Sequence, residues 1–104
     1  MRIAAYTPDL MDRSKISAAA AAGSHELTYV GAPEALVGLA GVDLVVVDLS
    51  KRGAAAVLPD LAGGSVRVLA FASHVDIPRI GAAAGVGVLP RSKFFGSLAD
   101  LLRE

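Results

Sequence analysis

Val42-Asp43-Leu44-Val45-Val46-Val47-Asp48 decides the fold. Its middle is an unbroken apolar run, rich in β-branched side chains and without polar alternation, the pattern of a strand covered on both faces of a parallel sheet. Residues 44–49 are therefore read as the central strand. Similar short apolar segments occupy residues 3–6, 27–30, 66–72 and 86–89, recurring about every 20 residues, and each is too short for a helix. Helix signals fill the intervals. Thr7 is read as an N-cap with Pro8 at the first helical position and Asp9 in the first turn, followed by a helix through Ala22 that stops at Gly23. Further helices are expected from Pro33 to near Gly41, over about 52–61 with a bend or early end at Pro59, over about 76–85, and over about 93–103 with Ser92 as N-cap. Strand and helix thus alternate five times, which predicts one α/β domain over residues 1–104, an open doubly wound sheet with right-handed crossovers.

Composition bounds the function. The chain has 104 residues, 54% of them hydrophobic, ten basic and ten acidic side chains, and no cysteine. A chain of this size can bury roughly 65% of its unfolded surface, enough for one core. Absence of cysteine removes disulfides, thiolate nucleophiles and Cys-ligated zinc. Balanced charge removes the broad electrostatic attraction behind nucleic-acid binding. Glycines 38 and 41 and the scattered charges keep every apolar run below the roughly 18 residues that span a bilayer. The opening residues, interrupted by Pro8, Asp9 and Asp12, are no secretory signal. The expectation is a cytoplasmic protein, with neither nucleic acid nor membrane as partner.

In open α/β sheets, reactive groups collect at the carboxyl ends of the strands. Here those ends carry Thr7, Asp9, Asp48, Ser50, Ser73, His74, Arg91, Ser92 and Lys93. Asp48 is the sharpest feature, a carboxylate directly after the most apolar run, where charge is rarely placed unless the tip opens into a cleft. Its bland reading is a strand-end acceptor for the backbone N–H groups of Ser50 and Lys51. Asp9 has the bland reading of complementing the first helix dipole. Ser73 and His74 are adjacent and on an extended strand point oppositely, so they form no nucleophile–base pair. The first βα turn has no glycine, which argues against a dinucleotide fingerprint or a P-loop.

The segment 42–48 and the strand and helix order resemble response-regulator receiver domains. That resemblance implies a flavodoxin-like five-stranded sheet in the order 2-1-3-4-5 and makes Asp48 the phosphoacceptor candidate. It also implies an acidic pair after the first strand, a hydroxyl ending the fourth and a lysine ending the fifth. Here the first place reads Tyr6-Thr7-Pro8-Asp9, the hydroxyl place falls on Ala72 with Ser73 one residue late, and Ser92 stands where the lysine belongs with Lys93 one later. A one-residue slip turns a side chain to the other face of a strand.

The expected function is therefore a stand-alone receiver-like signalling or interaction module, with an incomplete phosphorylation site, no catalytic turnover and no cofactor. It would work by contacting another signalling protein. Its partner face, and any homodimer, is expected by resemblance over about residues 76–102. Two alternatives stay open. In one, Asp48 is phosphorylated, Asp9 and Asp48 hold Mg²⁺, and Ser73 with Lys93 binds the phosphoryl oxygens. In the other, the same cleft takes a nucleotide or another small molecule.

Overall fold

The apolar run within residues 42–48 forms β3 (Leu44–Asp48), every residue of which is buried. The structure is a computed structural model that describes residues 1–51, 53–73 and 87–103. Around β3 lie β1 (Arg2–Tyr6), β2 (Glu26–Tyr29), β4 (Arg67–Ala72) and β5 (Val88–Pro90). All pairs are parallel and the order is β2-β1-β3-β4-β5, the flavodoxin-like order expected. His74, residues 76–85 with their expected helix, and Val86 lie outside the described residues, as does Arg52.

Alternation along the strands sorts the core onto two faces. Ala4, Val45, Val47, Ala70 and Ala72 pack with Leu36, Leu49, Val57, Leu58 and Leu61. Ile3, Ala5, Leu44, Val46 and Phe71 face the other way, against Ile16, Ala20, Phe94, Leu98 and Leu102. On that second face Phe71 stacks on Phe94 with centroids 4.4 Å apart, and Phe95 meets both edge-on. Aromatic pairs of this geometry contribute about 0.5–1.5 kcal/mol each beyond their buried area.

The helices depart from expectation at their ends. Helix α1 (Leu10–Ala22) starts later than Thr7 implied: its N-cap is Asp9, whose side chain accepts from the backbone N–H groups of Met11 and Asp12. Asp9 therefore sits before the first turn rather than in it, and Gly23 closes the helix as expected. The second expected helix is a single 3₁₀ turn (Pro33–Leu36). Gly38 and Gly41 adopt φ of +77° and +73°, left-handed conformations that end a helix instead of continuing it. The third is split into a 3₁₀ turn (Ala54–Val57) and α2 (Leu58–Ala62), with Pro59 in the first turn of α2. This is the interruption that Pro59 foretold, because proline is tolerated only at a helix start. The last expected helix is two short pieces, α3 (Arg91–Gly96) and α4 (Leu98–Leu101). Pro90, not Ser92, occupies the cap position of α3, without a side-chain cap bond. Among the described residues no helix is long and apolar enough to cross a membrane.

Candidate functional site

Because Tyr6 pairs with Val47 in register, the next residues, Thr7 and Asp48, emerge side by side at the carboxyl edge of the two innermost strands. Both are buried, Asp48 to 1% exposure. One carboxylate oxygen of Asp48 accepts from the Ser50 backbone N–H at 3.0 Å and from the Ser50 hydroxyl at 2.6 Å. Its other oxygen, Oδ2, and Thr7 Oγ1 are buried with no hydrogen-bond partner. Buried polar atoms are almost always paired, and each exception is costly. The strand-end reading of Asp48 thus holds for Ser50 and for half of the carboxylate.

The first turn of α1 brings a second buried acid to the same edge, Asp12, 3% exposed. Both of its oxygens are taken by Arg91, Nη2 at 2.7 Å and Nη1 at 3.0 Å. This fork-to-fork geometry is the strongest form of carboxylate pairing. Arg91 is the residue immediately after β5, and its guanidinium lies 5.4 Å from the Phe71 ring centroid and 5.2 Å from that of Phe95. The rings confine it on the apolar side while Asp12 fixes its direction. Hydrogen bonding to Asp12 raises the Arg91 pKa, against desolvation, and the charges of Asp12, Asp48 and Asp9 reinforce the rise.

Asp9 is exposed, and its carboxyl is held below the usual value by the Asp12 N–H. Desolvation is the next-largest influence and opposes this, while the Met11 N–H and the positive charges of Lys51 and Arg91 add to the lowering. Arg13 Nε donates to the Thr7 carbonyl at 2.6 Å, and its guanidinium sits 4.7 Å from the Tyr29 ring centroid. That bond ties the first turn of α1 to the chain just after β1.

The sequence reading located Asp48, Thr7, Ser50, Asp9 and Arg91 at this edge but missed Asp12, and with it the ion pair. The available signal was the Asp9–Asp12 spacing, an N-cap followed three residues later by an acid. Lys93 and Ser92 are exposed on α3, so the cation that follows β5 into the site is Arg91. Ala72 is fully buried as the last residue of β4, and Ser73 follows it, half-buried.

A divalent ion in a receiver fold needs carboxylates with free oxygens, since Mg²⁺ is usually held by one or two carboxylates plus other oxygens. Here Asp12 is occupied on both oxygens by a guanidinium, and one oxygen of Asp9 is bound to the α1 backbone N–H groups. Among the described residues only Asp48 Oδ2 is a buried carboxylate oxygen without a partner. Among the described residues no group of three or more His, Asp or Glu side chains is placed to hold a metal ion. The residues present do not fit the ion.

No family model matches the chain, and no curated protein matches it. Among solved structures it is similar to a response regulator in red light signaling of R. palustris, with a TM-score of 0.68 and 15% sequence identity, covering 96% of this chain and 90% of that one. At this identity the likeness concerns the fold, which is that of a receiver domain.

Proposed function

We propose that the chain is a receiver-like signalling module that acts by protein contact and carries out no phosphoryl chemistry at Asp48. One observation carries this reading: the buried acid of the first helical turn, Asp12, is already closed by Arg91. Phosphoryl transfer requires charge on the moving group to be offset by a metal ion and positioned cations. The cation in this site instead points at a carboxylate of its own chain. The resemblance to receivers supports a contact face over about residues 76–102, of which residues 87–102 are described and expose Ser92, Lys93 and Asp100, and a partner that is itself a signalling protein. A homodimer would use the same side.

Incubating the protein with acetyl phosphate and Mg²⁺ and measuring its intact mass tests the reading. The expected result is an unchanged mass. Addition of one phosphate that disappears in Asp48→Asn would overturn it and leave a phosphorylatable regulator in its place.

A further inference from the structure

Three carboxylates converge on the carboxyl edge of the sheet, and the chain answers them with its own cations. Asp12 is buried and carries two short bonds from Arg91. Asp48 is buried with Oδ2 unpaired, and its charge reaches Arg91, as does that of Asp9. The positive charge of Lys51, in the loop after β3, also lowers the Asp9 pKa. The guanidinium is held from behind by Phe71 and Phe95, so it is not a loose surface charge that an ion could displace cheaply. Arginine suits this place because its planar fork matches a carboxylate and is weakly hydrated, whereas Mg²⁺ gives up water reluctantly.

We infer that Arg91 is a built-in cation. It closes Asp12 by covalent attachment, at the edge where Asp48 keeps one buried oxygen without a partner, and thereby keeps the resting protein from binding Mg²⁺ or Mn²⁺ there. The inference deepens the proposed function, since it says why the edge is inert, and it is separable from it. Removing the guanidinium would free both oxygens of Asp12, which with Asp48 Oδ2 makes three carboxylate oxygens of two buried acids without a partner. The edge would then become a divalent-cation site. Arg91→Met is the informative change because its unbranched stem can stay against the Phe71 and Phe95 rings while the charge is lost.

The test is an Mn²⁺ titration of ¹⁵N-labelled full-length protein, followed by amide line broadening. In the wild type, millimolar Mn²⁺ is expected to leave the amides of Thr7, Asp12 and Ser50 no more broadened than exposed acidic positions such as Asp60. In Arg91→Met the same amides should broaden selectively and saturably, with at least a tenfold gain in affinity over the wild type. Saturable broadening centred on Asp12 and Ser50 in the wild type would overturn the inference, as would a folded Arg91→Met that stays indifferent to Mn²⁺. If Arg91→Met does not fold, the wild-type arm decides alone: indifference to Mn²⁺ supports the inference and saturable binding sinks it. A wild type that binds Mn²⁺ yet takes no phosphate overturns this inference and leaves the proposed function standing; one that takes phosphate overturns both.

Discussion

At Asp48, one oxygen is matched by two donors from Ser50 while the other meets none, in a side chain that is 1% exposed. A half-paired buried carboxylate is a cost, because burial penalises the charged form more than a neutral amide. Asp48→Asn keeps the acceptor for Ser50 and removes the charge. It should raise stability by about 1 kcal/mol at neutral pH, read from urea unfolding. A loss of more than about 1 kcal/mol would mean that the charge is fully compensated by Arg91. Asp48 was legible in the sequence because a charge ending so apolar a run stands out. The Asp12–Arg91 pair was not, because its partners are 79 residues apart and meet only if α1 starts after Asp9 and α3 starts at Arg91.

At the scale of elements, the five strands were legible from their apolar runs, whereas the helix ends were set by competition among neighbouring caps. Thr7, Asp9 and Ser92 all have cap chemistry. Thr7 stays outside α1, which Asp9 caps through the N–H groups of Met11 and Asp12, and Ser92 loses its place because α3 begins directly from β5. The Asp9 cap gives a pH dependence whose sign is fixed. Its folded pKa lies below the usual 3.8, so its contribution is present above pH about 4 and is lost as the pH falls through the lowered value. Asp9→Asn retains an acceptor but titrates no charge. Between pH about 5 and about 3 its urea midpoint should fall less than that of the wild type, and Asp9→Ala should be the least stable of the three at neutral pH. Parallel curves for wild type and Asp9→Asn would remove Asp9 from the acid sensitivity.

Over the whole molecule, alternation of strand and helix, with right-handed crossovers, restricts the topology to few arrangements, which is why sheet order could be read before the structure. What alternation does not encode is which side chains the closed sheet gathers at its carboxyl edge. That gathering makes one tie between distant parts of the chain, from α1 through Asp12 to Arg91 and on to Phe71 of β4 and Phe95 of α3. Breaking one side of a buried ion pair leaves an uncompensated charge and costs roughly 3 kcal/mol where, as here, one partner is partly exposed. Arg91→Met should lose about that much in urea unfolding, and Asp12→Asn combined with Arg91→Met should recover much of it, since neither charge then remains. Equal losses in the single and double variants would mean that Arg91 stabilises by packing alone. The most direct measurement is a crystal structure grown in Mg²⁺. The account predicts Arg91 bidentate on Asp12 with no ion between Asp12 and Asp48; an octahedral ion about 2.1 Å from oxygens of both acids, with Arg91 turned away, would contradict it.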